Sequence, residues 1–279
     1  MVFSTRPFPF AASPFVAFVA LAGLACVLGA CQPSHPAAKD PAAEEAAAFE
    51  ANGYTHAPVI TAVMPGEAGF VVISGTAPVD SRMRFAFSDP LKGGTQAVGV
   101  TTDAQGQFRA EVPITAHGGL YDVTADDGGR LRQMEGRLFV PQGRPDKATL
   151  LRPGSASRLL RPQALGIMLA DYDSAGAFAV SGRVAPNAEV IVIVNDEVRA
   201  EVHSDGQGGF DAKTQVPPPG AIPEAIGVIV QTTKASFRRD FQIAGGPTPF
   251  VERMTATPDS WRVDWQMAGG GGQSTVVFK

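Results

Sequence analysis

The chain has 279 residues, a formal net charge of −4 at pH 7 and two cysteines, both at or before position 31. A mildly acidic chain without clusters of basic residues argues against nucleic acid as a partner. Cysteines confined to the start leave the rest of the chain without an internal disulfide or a thiol pair for zinc or redox chemistry.

The first thirty residues have the pattern of an export signal. Arg6 is their only charged residue, and the run from Phe15 to Ala30 is rich in Phe, Ala, Val and Leu. This run has the length of a signal-peptide hydrophobic region and is shorter than the roughly 20 apolar residues of a membrane-spanning helix. We therefore predict a signal peptide at 1–30.

The end of this segment reads Leu28, Gly29, Ala30, Cys31. It resembles the lipobox of bacterial lipoproteins, in which an aliphatic residue and two small residues precede an invariant cysteine. The resemblance implies cleavage before Cys31, acylation of that cysteine with chains such as palmitate, and a lipid anchor in a membrane. Gln32 stands where Asp retains Gram-negative lipoproteins in the inner membrane, which favours the outer membrane, with the chain facing the periplasm or the cell surface.

Residues 31–56 are predicted as a tether, because their first part consists mainly of Pro, Ala, Ser and charged residues. Such a composition is typical of a spacer that holds folded domains away from a membrane. A short stretch within it, AAEEAAAFEA, is too short to form a stable helix alone.

The remaining chain contains an internal repeat. GFVVISGTAP (69–78) is echoed by AFAVSGRVAP (177–186), and TTDAQGQF (101–108) by HSDGQGGF (203–210). Each copy has about seven short runs of period-two alternation, as in Met83, Phe85 and Phe87, which predicts strands with one buried face. We predict two β-sandwiches, at 57–141 and 158–245, joined by a linker at 142–157.

These landmarks and their spacing resemble the tandem bacterial immunoglobulin-like repeats of surface and envelope proteins. The resemblance implies an all-β fold of two Ig-like sandwiches in series. It says little about activity, because such sandwiches support many roles.

The motif Asp-x-x-Gly-x-Phe occurs as Asp103, Gly106, Phe108 and again as Asp205, Gly208, Phe210. We interpret it as a hairpin corner, since Asp caps a turn, Gly accepts a positive φ and Phe starts the next strand. A calcium loop is the alternative, but one carboxylate per turn supplies few oxygen ligands. The stretch ADYDSAG (170–176) is interpreted in the same way as a polar turn.

The second repeat and the tail each show one further feature. In the second repeat, the runs 190–194 and 228–230 are apolar at every position, which predicts a strand pair covered on both faces. The tail 246–279 carries both tryptophans, Trp261 and Trp265, on one face of a predicted β-hairpin that should pack on the second sandwich. The indoles either complete a core or, with Arg262, form an exposed platform that stacks on sugars.

No nucleophile elbow, phosphate-binding loop or zinc-protease motif is present, and the four histidines lack metal-ligand spacing. We therefore predict a non-catalytic envelope protein without cofactor or metal, anchored at Cys31, that binds or scaffolds. Its expected partners are the membrane, through the lipid, and an envelope protein or glycan. Carbohydrate binding through Trp261, Trp265 and Arg262 is the alternative function, and an enzyme with a site built from loops is a third.

Overall fold

The structure, a computed structural model, describes residues 56–88, 94–162, 164–220, 222, 224–245 and 250–279. The predicted signal peptide, Cys31 and all of the predicted tether except its last residue lie outside these ranges. The described part is built from strands, with a short 3₁₀ helix at Pro145–Lys147.

The first repeat and the segment after it form ten strands. They are β1 (Val59–Pro65), β2 (Phe70–Thr76), β3 (Arg82–Ser88), β4 (Thr95–Thr101), β5 (Gln107–Pro113), β6 (Gly119–Asp127), β7 (Arg130–Gln133), β8 (Arg137–Val140), β9 (Thr149–Leu151) and β10 (Arg158–Leu159). A three-stranded sheet has the order β1-β2-β5, and a seven-stranded sheet has the order β10-β9-β8-β6-β3-β4 with β7 paired to β6. All pairings are antiparallel.

The second repeat and the tail form ten more strands. They are β11 (Gly166–Asp173), β12 (Ala177–Arg183), β13 (Glu189–Val194), β14 (Glu197–His203), β15 (Gly209–Gln215), β16 (Glu224–Gln231), β17 (Ser236–Ile243), β18 (Arg253–Ala256), β19 (Ser260–Gln266) and β20 (Gly272–Phe278). A six-stranded sheet has the order β15-β12-β11-β20-β19-β18, and a four-stranded sheet has the order β14-β13-β16-β17. The chain is therefore all-β, with two tandem sandwiches of the immunoglobulin type.

Seven equivalent strands occur in both sandwiches: β1–β6 and β8 correspond to β11–β17 in chain order. The trio β1-β2-β5 of the first corresponds to β11-β12-β15 of the second. In both trios a glycine of the repeated Ser-Gly pair lies against the neighbouring strand. A Cβ on Gly75 would come within 2.0 Å of the Val59 carbonyl oxygen, and one on Gly182 within 2.1 Å of the Gly166 oxygen. The repeated glycine thus serves close strand packing.

The Asp-x-x-Gly-x-Phe motif forms a turn, as predicted. In the second copy, Asp205 accepts hydrogen bonds at Oδ1 from the backbone N–H groups of Gln207 and Gly209, both at 2.8 Å. Gly208 has a φ of +85°, and Phe210 is buried in the second core. The carboxylate therefore caps the turn, which is the role that short polar side chains play at such corners.

A third copy of this turn lies in the stretch ADYDSAG. Asp173 accepts from the backbone N–H groups of Ala175 and Ala177, both at 2.9 Å, and Gly176 has a φ of +86°. Phe178 then enters the core, which completes the motif. The predicted polar turn is confirmed, and it is the same device as in the two repeats.

Four sheets stack to enclose three hydrophobic cores. The first core lies between the three- and seven-stranded sheets, and the second lies between the six- and four-stranded sheets. A third, here called the junction core, lies between the seven- and six-stranded sheets. Its buried members are Leu120, Phe139, Leu151, Leu159, Met168, Leu169, Trp261, Val263, Trp265 and Val277.

The segment predicted as a linker takes part in this packing. Residues 142–157 include β9, which extends the seven-stranded sheet. Leu150 is buried in the first core, and Leu151 is buried in the junction core. The two sandwiches are thus joined through ordered, buried structure at this point.

The tail forms the predicted hairpin, β19–β20, and packs on the second sandwich by adding β20 to the edge of β11. It does not cover the strand pair that is apolar at every position, because that pair lies in the four-stranded sheet. The outward side chains of Ile191, Ile193 and Ile229 remain half-buried, and nearby Val198 is 59% exposed. The described part of the tail is therefore not the cover that the apolar pattern predicts for this face.

Candidate ligand cleft at the sandwich junction

The predicted platform residues lie in the molecule's interior. Trp265 is 1% exposed and Trp261 is 7% exposed, and both belong to the junction core. The Trp265 indole N–H donates to Thr275 Oγ1 at 3.1 Å, and the Lys279 ammonium lies 4.8 Å from the Trp261 ring centroid. In this placement neither indole offers a free face on which a sugar ring could stack.

Arg262 is on the opposite face of β19 from the two indoles, because side chains alternate along a strand. Its guanidinium donates to Asp264 at 2.7 Å and lies 5.5 Å from the centroid of the Tyr172 ring. The three residues predicted as a ligand platform are therefore not brought together. The structure corrects that prediction in favour of its packing alternative, since the second sandwich and the tail share one sheet whose other face is covered by the first sandwich.

A buried carboxylate lies in the same junction. Asp171 accepts hydrogen bonds from the Ser157 backbone N–H at 2.6 Å, the Ser157 hydroxyl at 2.7 Å and the Gln273 amide at 3.1 Å. A fourth comes from the hydroxyl of Thr275, which also receives the Trp265 N–H. Burial raises the pKa of Asp171, against the lowering effect of these donors. The network fixes the segment before β10 to the sheet of the second sandwich.

A cleft opens where the first sandwich meets the tail. It contains a cavity of about 720 Å³ beside one of about 390 Å³. Both are lined by Phe87 and Ser88 of β3, by Arg137 of β8 and by Glu252, just before β18. Volumes of this order, at a junction of domains, are typical of sites for small molecules or peptide side chains.

An ion-pair bridge separates the two cavities. Arg137 donates from Nη2 to Asp122 Oδ2 at 2.9 Å and pairs with Glu252 through Nη1. Its Nε lies 2.9 Å from Asp122 Oδ1, at an angle that makes it an ionic contact without a hydrogen bond. The Arg137 side chain is 11% exposed, whereas Asp122 and Glu252 are 40% and 35% exposed. The bridge therefore presents carboxylates to the cleft and keeps its cation inside.

The two cavities differ in chemistry. The smaller one has Leu120, Tyr121 and Met254 in its wall, with His117 and Arg253 also lining it. The larger one adds Gln133, Gln266 and the tail turn that contains Met267 and Gly270. The apolar cavity thus adjoins the polar one, and the bridge between them consists of two carboxylates and one buried guanidinium. The net charge of this bridge is about −1 at neutral pH.

Sequence reasoning did not identify this cleft. Asp122 alternates with the buried Tyr121 and Val123 along β6, so the local pattern indicates only that it lies outside the first core, and Arg137 belongs to no motif. The complete bridge also requires Glu252, which is 115 residues from Arg137 and reaches it only because the tail lies against the first sandwich. No local pattern could have indicated that contact.

Two further observations apply only to the described ranges given above. In them, no three side chains of His, Cys, Asp or Glu converge in a way that could hold a metal ion. In the same ranges no helix is long and apolar enough to cross a bilayer.

Comparison with known proteins gives structural likenesses only. No family model and no curated protein matches the chain. A solved structure described as "Biofilm associated protein - BSP domain" is 12% identical, with a TM-score of 0.25, over 68% of this chain and 30% of that one. Another, "Central Fibronectin-III array of RIM-binding protein", is 14% identical, with a TM-score of 0.23, over 79% and 89%.

The chain spans less than a third of the first of these structures. Similarities this low carry no conclusion about activity, and the sandwich fold stands on the strand pairing described above.

Proposed function

We propose that this chain is a lipid-anchored protein of the bacterial cell envelope that binds or scaffolds without catalysis, and that the junction cleft is its binding surface. The observation that carries the proposal is the cleft itself: two adjoining cavities, one apolar and one polar, between two sandwiches packed on a shared core. Such a junction holds its walls at fixed distances, which reduces the ordering cost of binding.

The charge of the larger cavity favours a ligand with a positive group, whereas Arg253 in the wall of the smaller cavity pairs with Asp264. Asp122 and Glu252 are partly exposed, and Arg137 neutralises only one of them. The apolar side chains of Leu120, Tyr121 and Met254 suit a neighbouring hydrophobic group. An extended segment of another envelope protein, with a lysine or arginine next to an apolar residue, meets both requirements. Sugar stacking loses support because both indoles are buried.

The anchor is tested at Cys31. Replacing Cys31 with Ser should abolish incorporation of radiolabelled palmitate and release the protein from the membrane fraction, because the thiol that carries the lipid is gone. Cys26→Ser is the matched control and should remain labelled. Palmitate label that persists in the Cys31→Ser chain would remove the anchor from the proposal.

The cleft is tested with paired peptides. Short apolar peptides with a central lysine should bind and change Trp265 fluorescence, since Trp265 lines the larger cavity, whereas the same peptides with central glutamate should not. Glu252→Gln should weaken lysine-peptide binding by about tenfold, through loss of one charge contact. Glu201→Gln, an exposed change on the four-stranded sheet, is the control. Equal affinity for both peptide series would contradict the proposed ligand chemistry.

A further inference from the structure

A separate cavity, of about 220 Å³, lies at another edge of the junction. Its walls come from the 3₁₀ helix Pro145–Lys147, the connection between β10 and β11, strand β17 and the end of β20. Their charged side chains are Arg144, Asp146, Lys147, Arg161, Arg239 and Lys279. Five cations thus face one carboxylate around a small space.

The single carboxylate of the cavity, Asp146, is already paired with a neighbouring arginine. Asp146 accepts two hydrogen bonds from Arg144, at 2.8 and 2.7 Å. The remaining four cations are Lys147, Arg161, Arg239 and Lys279, and none of them pairs with a carboxylate anywhere in the described part of the chain. A free α-carboxylate on Lys279 would still leave an excess of three positive charges.

Lys147 and Arg239 are held at the cavity by contacts with Phe278, which also lines it. Lys147 Nζ donates to the Phe278 carbonyl oxygen at 3.1 Å, and Arg239 lies 5.4 Å from the Phe278 ring centroid. Lys279 donates to the Thr257 carbonyl and lies over Trp261. Neutral carbonyls and rings orient these groups without cancelling their charge.

The electrostatic consequence is visible at Lys147. Burial lowers the pKa of its ammonium, and the charge of Arg144 lowers it further. Arg239 adds to this effect, against the opposing influence of Asp146. The cavity therefore has a positive potential that an incoming anion would relieve.

We propose that this cavity binds a phosphate group. Its volume is below the roughly 300–1,000 Å³ of sites for drug-sized ligands, which suits a compact group. Two guanidiniums and two ammoniums without carboxylate partners match the several oxygens and the multiple charge of a phosphate. The group can belong to inorganic phosphate, a soluble monoester or a phospholipid headgroup, since all three present the same oxygens.

The test compares neighbouring arginines of one strand. Arg239 lines the cavity, whereas Arg238 is exposed and paired with Asp240 on the outer side of the sheet, with Nη2–Oδ1 at 2.8 Å. In calorimetric titration of the full chain with inorganic phosphate, Arg239→Gln should weaken binding at least about tenfold and Arg238→Gln should change it little. Matching thermal midpoints for both variants exclude misfolding as the cause.

Parallel titrations identify the source of the phosphate. Glycerol 3-phosphate and a short-chain phosphatidylglycerol, below its micelle concentration and in non-ionic detergent, are compared with the phosphatidylcholine of equal chain length. Binding of inorganic phosphate and of glycerol 3-phosphate supports a soluble ligand, and binding of the phosphatidylglycerol alone supports a headgroup. Failure of all phosphate probes, or equal loss in both arginine variants, overturns the proposal.

A second readout follows Lys147. At mildly alkaline pH its lowered pKa should make it react faster with an acetylating reagent than the exposed Lys234, as peptide mass spectrometry can measure. Phosphate should slow the reaction at Lys147 in the wild type and leave it unchanged in Arg239→Gln. Protection that is equal at Lys147 and Lys234 would contradict a site at the cavity. None of these outcomes depends on the junction cleft or on Cys31.

Discussion

The Trp265→Ala chain should lose about 3–5 kcal/mol of unfolding free energy, the usual cost of deleting a large, fully buried aromatic side chain. Trp265 is 1% exposed and shares the junction core with Leu120 and Phe139 of the first sandwich. Its loss also leaves Thr275 without the donor that completes the Asp171 network. The damage should therefore fall on the packing between the sandwiches.

Urea unfolding, followed by circular dichroism and by the fluorescence of the remaining Trp261, measures this loss. Trp265→Phe, which keeps an aromatic ring, should recover part of the stability. Leu131→Ala is the surface control, because Leu131 is 71% exposed on β7, and should stay within about 0.5 kcal/mol of the wild type. A Trp265→Ala chain as stable as Leu131→Ala would show that the indole is not in a packed core.

Much of the fold was accessible from sequence because its signals are local. Period-two alternation marks strands, and the Asp-x-x-Gly-x-Phe corner can be read from three residues whose roles depend only on the turn. The repeat then required both copies to share one architecture, and the strand trios β1-β2-β5 and β11-β12-β15 agree with it. The tail hairpin followed from alternation of the same kind.

The packing of the two sandwiches against each other could not be predicted from such local patterns. The same alternation fits an indole facing water and an indole facing another sheet, so the pattern around Trp261 and Trp265 could not decide between a platform and a core. Leu150 and Leu151 posed the same problem, since a pair of leucines in a Pro- and Gly-rich segment also suits a loose linker. Burial against a partner sheet is a tertiary property, and it decided each case.

The two candidate sites could not be predicted from sequence for the same reason, since both depend on tertiary packing. The bridge of Asp122, Arg137 and Glu252 and the cavity around Lys147 both assemble residues from the first sandwich and from the tail or β17. Each exists only because the junction core brings those elements together. Both proposed sites thus depend on the junction, and a change that loosens the junction core should weaken both at once.

Asp171 provides the sharpest test of the junction. Asp171→Ala should cost about 3–5 kcal/mol, because four donors that now converge on its carboxylate would be buried without an acceptor. Asp171→Asn should cost less, about 1–3 kcal/mol, since one oxygen remains and the new amide opposes the Ser157 N–H. Asp211→Asn, an exposed carboxylate change on β15, should cost under about 1 kcal/mol.

The pH dependence of stability distinguishes the effect of ionising the Asp171 carboxylate from the effect of its shape. Burial raises the pKa of Asp171, so between its unfolded and its native pKa the folded chain binds more protons than the unfolded chain. The contribution of Asp171 to stability should therefore fall as the pH rises through that window, starting from about pH 4. Asp171→Asn lacks this proton, so its deficit in stability relative to the wild type should shrink as the pH rises above about 4. Urea midpoints at a series of pH values measure the difference, and a deficit that grows with pH would mean that the hydrogen bonds to the carboxylate outweigh its burial.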